Sequence, residues 1–383
     1  MNINMNRTMQ ETMRLMQTGD LYAATLAIQR GLRGGAESTH ARTETVESSA
    51  KALCIEGQYR VVADSESDVS PAPRTREVSE HGRSKGLDGE FRAHRFTCDA
   101  GSMHYKLFIP AGVGIAAPPL IVMLHGCTQS PDDFARGTRM NALAKEHGYV
   151  VAYPAQAKSK NAGKCWNWFR SRDQQRGQGE PAILAALTRH LVKAHGLDER
   201  RVYVAGLSAG GAMAAVLAST YPDVYAAIGV HSGLPFGVAH DLPSAFAAMK
   251  QGSGKSAPGV PPARMDPVPA IVFHGDRDTT VDPCKGAAVI EQCMATARSV
   301  NDPEVDPMRA TVERGSVPGG RSYTRTIFTN VAGRVVAEQW LVHGAGHAWF
   351  GGDAEGSYTD PSAPDASQHM LRFFSACARS AIN

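Results

Sequence analysis

Five apolar runs stand out along the chain: PLIVMLHG (119–126), GYVVAYP (148–154), RVYVAG (201–206), YAAIGVHSG (225–233) and PAIVFHGD (269–276). The first is apolar almost without interruption, as expected of a strand buried on both faces. Between the runs, EPAILAALTRHLVKAHG (180–196) has helical period and a glycine stop, and AGGAMAAVLASTYP (209–222) predicts a helix closed by proline. FRAHRF and MHYKLFIP read as antiparallel edge strands, residues 321–342 as a hairpin and 366–379 as a last helix. Residues 234–267, rich in Pro, Gly and Ala, hold no clear element and read as an insertion near the site. Apolar strands alternating with helices predict an α/β fold, a mostly parallel central sheet flanked by helices. Such sheets bind ligands at the carboxyl ends of their strands.

Before this body the pattern differs. Met5, Met9, Met13 and Met16 recur at helical spacing, Gly19-Asp20 interrupts, and Leu21, Leu26, Ile28 and Leu32 follow up to Gly34-Gly35. Residues 1–35 thus predict an N-terminal extension of two amphipathic helices, which either pack on the body or use residues 4–33 to contact a granule or partner. Residues 36–92 are polar and rich in Ser, Thr, Glu, Arg and Pro, and read as a partly disordered linker. The catalytic domain is expected over 93–383.

Composition narrows the function. A net charge of +3 on 20% charged residues, with no basic run carrying aromatics, argues against nucleic acid. No apolar stretch approaches the ~18–20 residues of a membrane span. The N-terminus lacks the ~7–15-residue apolar core of an export signal. A cytoplasmic location is therefore expected, with an extracellular or periplasmic one as the alternative. None of the seven cysteines forms a CxxC pair, so no thiolate metal site is expected. Gly252-Ser253-Gly254-Lys255-Ser256 imitates the end of a phosphate loop, but Met249 stands where its first glycine belongs.

The strongest chemical signal is Gly206-Leu207-Ser208-Ala209-Gly210, a G-x-S-x-G between an apolar strand and a small-residue helix. That context is the nucleophile elbow of an α/β-hydrolase fold, with Ser208 as the nucleophile. A serine hydroxyl needs a base, and the base an orienting acid. In this fold the chain order is serine, acid, histidine. His347, in the glycine-rich loop after EQWLVH, is the expected base, with His343 as competitor; His369, on the last helix, reads as a surface or packing residue. Asp278, three residues past the glycine that ends its strand, is the expected acid, ahead of Asp276 and Asp282. The oxyanion needs two backbone donors. The amide of Ala209 is one; Cys127 is expected to supply the other, with Thr128 next. Trp166, Trp168 and Phe169 crowd one loop, which reads either as a hydrophobic plug or as a wall of the substrate cleft. Trp349, beside His347, would line the same cleft.

HGCTQ (125–129), CWNWF (165–169), GLSAGG (206–211), HGDRDTTV (274–281) and GAGHAWFGG (344–352) together resemble the polyhydroxybutyrate depolymerase-type esterases, over roughly residues 95–380. The resemblance implies serine ester hydrolysis without metal or organic cofactor, on poly- or oligo-(3-hydroxybutyrate)-type esters or related short esters. It places nucleophile, acid and base on Ser208, Asp278 and His347, and implies a disulfide between Cys127 and Cys165. Feruloyl and acetylxylan esterases resemble the same family and form the alternative. A peptidase of the same fold and a non-catalytic binding protein are the remaining readings.

Overall fold

The apolar runs become the strands of one sheet. The computed structural model describes residues 89–112, 116–250, 268–300 and 308–379. Ten of its strands are β1 (Gly89–Cys98), β2 (Gly101–Pro110), β3 (Leu120–Leu124), β4 (Val150–Ala155), β5 (Val202–Leu207), β6 (Ala227–His231), β7 (Ala270–Gly275), β8 (Arg309–Ser316), β9 (Ser322–Thr329) and β10 (Val335–Val342). They pair in the order β1-β2-β4-β3-β5-β6-β7-β10-β9-β8. From β4 through β10 the neighbours are parallel, while the two strands added at each edge are antiparallel. A small second sheet pairs β11 (Trp349–Phe350) with β12 (Thr359–Asp360).

The side chains of β3 explain why its run shows no polar alternation. Leu120, Val122 and Leu124 enter one core, Ile121 and Met123 the other, and all five are fully buried. The first core is covered by α3 (Gly179–His195), α4 (Ala209–Thr220), α5 (Leu242–Lys250) and α6 (Cys284–Val300); the second by α1 (Pro131–Thr138), α2 (Met140–His147) and α7 (Ala366–Ser375). Helix ends follow local chemistry. Ser130 caps α1 by accepting the Asp133 amide, and Gly196 closes α3 in the left-handed conformation at φ 60°.

Two expectations are corrected. The body begins at Gly89, which pairs with Pro110, so residues 89–92 belong to β1 and not to the linker. The stretch read as empty of elements holds α5. Helices α1, α2 and α6 and strand β8 have no counterpart among the predicted elements. The predicted helices of 4–33, the linker before residue 89 and the Gly252–Ser256 decoy lie outside the described residues. Among the described residues no helix is long and apolar enough to cross a membrane.

Strand β10 leads into the loop that carries His347, and one buried carboxylate ties it down. Glu338, 0% exposed, accepts Arg325 Nε at 2.9 Å and Nη2 at 3.0 Å, Trp340 Nε1 at 2.6 Å, and Arg372 of α7. Burial pushes its pKa up, but the two guanidiniums and the indole outweigh that and leave it below the usual range. Replacing Arg325 by Met removes the forked partner and leaves the enclosed charge half-paired. The expected loss is about 3 kcal/mol of stability, read as a lower urea midpoint with unchanged slope. An unshifted midpoint would show that Arg372 alone satisfies the carboxylate.

Candidate active site

Strand β5 delivers Ser208 to the carboxyl edge of the sheet, and the turn there is strained. Ser208 has φ 57° and ψ −118°, a conformation non-glycine residues avoid. Its neighbours must therefore be small. A Cβ on Gly210 would lie 2.0 Å from the Leu124 carbonyl oxygen, and one on Gly206 2.4 Å from the Gly210 carbonyl carbon. Between Val202 and Leu217, Ser208 alone is not buried. Its amide donates to the His231 carbonyl at 2.8 Å. Its hydroxyl makes no hydrogen bond among the described residues, and no direct bond to His347 is formed; such bonds often tighten only when substrate binds.

Asp278 and His347 are brought into direct contact. His347 Nδ1 lies 2.7 Å from Asp278 Oδ2, across 69 residues of chain. The carboxylate keeps the ring proton on Nδ1 and leaves Nε2 as a lone-pair acceptor. Asp278 is enclosed, with its side chain 0% exposed. Oδ1 accepts the amides of Thr280 at 2.8 Å and Val281 at 2.9 Å, and Oδ2 also lies 3.3 Å from His274 Nε2. Burial opposes its charge, yet the hydrogen bonds from His274 and His347 hold its pKa far below the usual carboxylate range.

The competing residues are occupied elsewhere. Asp276 pairs with His343 Nδ1 at 3.0 Å and accepts the Gly344 amide at 2.7 Å. His343 is the first residue past β10, and its Nε2 lies 3.0 Å from Thr324 Oγ1. Asp282 accepts the Cys284 amide at 2.9 Å, at the start of α6. His369 is half-buried against Trp340, with ring centres 4.2 Å apart.

The loop after β3 distinguishes the two oxyanion candidates. The Thr128 amide donates to the Gly163 carbonyl at 2.7 Å, and the Gly126 amide to Gln129 Oε1 at 2.8 Å. Between them the Cys127 amide has no acceptor among the described residues. Neither has the Ala209 amide, at the first turn of α4, where the helix cannot supply one. Cys127 is disulfide-bonded to Cys165.

The family model for esterase PHB depolymerases matches residues 103–303. The chain belongs to the PHB depolymerase esterase family. It is 32% identical over 260 residues to the poly(3-hydroxyalkanoate) depolymerase C of Paucimonas lemoignei, covering 66% of this chain and 60% of that protein. The feruloyl esterase B of Thermothelomyces thermophilus is 36% identical over 129 residues, 33% of this chain and 43% of that one. A probable acetylxylan esterase A of Aspergillus clavatus is 30% identical over 191 residues, 46% and 61% respectively. The chain thus spans about two-fifths to three-fifths of the length of these relatives. Among solved structures, the acetyl xylan esterase of Aspergillus awamori superimposes with a TM-score of 0.51 at 18% identity, covering 74% of this chain and 99% of that one, and shares the fold.

The aromatic wall expected for this family member is corrected. Trp166, Trp168 and Trp349 are 0%, 6% and 1% exposed. Trp166 Nε1 donates to the His125 carbonyl at 3.0 Å, and Trp349 Nε1 to Ser367 Oγ at 3.0 Å. Apolar packing encloses all three rings, and the indole N–H of Trp166 and of Trp349 is satisfied within the protein, so they underlie the site as buried side chains. Among the described residues the exposed aromatic is Tyr358, at 48%. It also has a positive φ, 53°, and its hydroxyl lies 3.5 Å from Thr128 Oγ1, while its carbonyl accepts the Trp349 amide at 2.6 Å. No sequence signal singled it out beyond its nearness to His347.

A buried polar network beneath the loop after β3 has no counterpart among the sequence expectations. Glu180, 4% exposed, accepts the Asn167 amide at 2.8 Å and Gln156 Nε2 at 2.5 Å. Burial raises its pKa. His125 donates from Nδ1 to the Gly126 carbonyl at 2.7 Å and accepts the Gln156 amide on Nε2 at 3.1 Å. That pattern needs the neutral ring, and burial lowers its pKa to about 4. Among the described residues no cluster of three or more His, Cys, Asp or Glu side chains is placed to hold a metal ion.

His125, buried, and His369, half-buried, set an acid limit on stability. Burial brings both His125 and His369 from an ordinary value of 6.5 down to about 4. Between these values the unfolded chain binds protons that the folded chain refuses, so stability falls as pH drops from about 6.5 to about 4. His125 alone accounts for about 3 kcal/mol at the lower end. Thermal melts at pH 7 and pH 4.5 are expected to show a clear drop in Tm, and equal midpoints would contradict the neutral-ring assignment.

Proposed function

We propose that this chain is a serine carboxylic ester hydrolase, acting on poly- or oligo-(3-hydroxyalkanoate)-type esters. The observation that carries the reading is the enclosed Asp278–His347 pair, combined with a strained, part-exposed Ser208 and two amides lacking protein acceptors. His347 takes the Ser208 proton through Nε2 as the oxygen attacks the ester carbonyl. The amides of Cys127 and Ala209 receive the oxyanion. His347 then protonates the leaving alcohol, and water repeats the cycle on the acyl-enzyme. Asp278 keeps the ring in the required tautomer and stabilises its charged form. None of these steps calls on a metal or organic cofactor.

The polyester substrate is supported by the depolymerase relative, which matches over more of this chain than the feruloyl and acetylxylan esterases do. Those two classes form the second reading, since the same machinery serves any accessible ester. Tyr358 is the surface aromatic beside the oxyanion loop and takes the role first assigned to the tryptophans. The Cys127–Cys165 bridge favours an oxidising compartment over the cytoplasm.

Ser208→Ala is expected to lower kcat on short p-nitrophenyl esters by at least ~10³-fold with an unchanged circular dichroism spectrum. Undiminished turnover would overthrow the assignment. Asp278→Asn should cost about 10⁴-fold through the wrong tautomer. Side-by-side rates on 3-hydroxybutyrate oligomers, feruloyl esters and acetylated xylan decide the substrate class, and a preference for either of the last two would replace the polyester reading. Tyr358→Ala is expected to raise KM several-fold on the preferred ester with kcat little changed; an unaltered KM would remove Tyr358 from the substrate site.

A further inference from the structure

One buried histidine joins the two halves of the site without belonging to the predicted triad. His231 ends β6 and is 0% exposed. Its carbonyl accepts the Ser208 amide at 2.8 Å. Its ring nitrogen Nε2 accepts the Phe350 amide at 3.1 Å, three residues past His347. The nucleophile turn and the base loop, about 140 positions apart in the chain, are thus fastened to one residue.

Packing alone does not call for histidine at this position. The ring stacks on Phe273 and Trp349 at centroid distances of 5.7 and 5.1 Å, and meets Phe350 edge-on at 4.3 Å. A phenylalanine or leucine would suit such surroundings and would avoid the cost of burying a polar ring. What histidine adds is an acceptor at Nε2. For Nε2 to accept, the proton must sit on Nδ1, and Nδ1 has its own partner, Ser232 Oγ, at 3.3 Å. Burial, followed by the nearby His274 and His347, keeps the ring's pKa well below the ordinary histidine value, against a smaller opposing effect from Asp278.

We propose that His231 is a positioning residue: as a neutral Nδ1–H imidazole it holds the Phe350 amide, and through it the base loop, in register with the Ser208 turn. The proposal rests on the assignment of Ser208 and His347 made above. Loss of the acceptor frees the loop to shift, and a displacement of about 1 Å at a reacting group can cost ~10²-fold in rate.

The test compares three variants of the full chain on p-nitrophenyl butyrate. His231→Gln carries an amide oxygen long enough to reach the Phe350 amide. His231→Asn carries the same group one methylene too short, and His231→Leu has no acceptor. The expected result is kcat within about fivefold of wild type for Gln, and a loss of ~10²-fold for Asn and Leu, with KM changed by less than about threefold in all. Equal losses in Gln and Asn, or full kcat in Leu, would overturn the proposal. Should the variants fail to fold, imidazole ¹⁵N NMR of the unaltered protein at pH 7 remains decisive. Nε2 of His231 is expected to be unprotonated and Nδ1 protonated, and a proton on Nε2 would sink the idea. This measurement does not depend on activity, so failure of Ser208→Ala to abolish turnover would be told apart from failure of the His231 assignment.

Discussion

A carboxylate shut away from water must satisfy its lone pairs within the protein or give up its charge, and Asp278 meets that condition with donors on both oxygens. Two come from its own loop, the amides of Thr280 and Val281. The third is the ring of His347, while His274 Nε2, 3.0 Å from the Val281 carbonyl, lies 3.3 Å from the same carboxylate oxygen. The loop amides orient the carboxyl, and the oriented carboxyl fixes the tautomer and direction of His347. The neighbouring backbone is stitched to match: the Asp276 amide donates to the Val342 carbonyl and the Arg277 amide to the Ala345 carbonyl, at 3.1 and 2.9 Å. The loops carrying Asp278 and His347 are therefore tied together along their backbones. The same local chemistry that keeps Asp278 charged suits His347 to the role of base proposed for it.

The opposite side of the site is held by different means. The loop carrying Cys127 is pinned by a covalent bridge to Cys165, by the Trp166 indole on the His125 carbonyl, and by amides on each side that are already engaged. The one left unengaged is the amide that would receive an oxyanion. Preorganisation here consists in satisfying every neighbour and leaving a single donor open, so little rearrangement is needed as negative charge develops. Glu180 and His125 support this arrangement from below as buried, fully hydrogen-bonded polar groups, which rigidify a loop more than apolar side chains would.

Strain concentrates where these pieces meet. Ser208, Thr128 and Tyr358 all have positive φ, and Thr128 and Tyr358 touch across 230 residues of chain. Such conformations cost roughly 1–3 kcal/mol each and persist only where the surroundings overdetermine them. Two packed cores, one on each face of the sheet, provide that rigidity.

The parallel centre of the fold was legible because strands buried on two faces must be apolar throughout, and β3, β4, β5, β6 and β7 announce themselves that way. The Ser208 turn was legible because only glycine tolerates backbone contact at 206 and 210, a local demand that leaves a local mark. The proposed triad of Ser208, Asp278 and His347 was read from the order of strands and loops, and the structure brings Asp278 and His347 into contact. Tertiary structure alone decided the rest. Whether the tryptophans near the site face a ligand or the core, which amide after β3 stays open, and which buried histidine links the two loops all depend on partners tens to hundreds of residues away. The first is settled by packing against other elements, the second by Gly163 and the last by Phe350. Residue type records what a position can do, but only the folded chain determines which neighbour uses it.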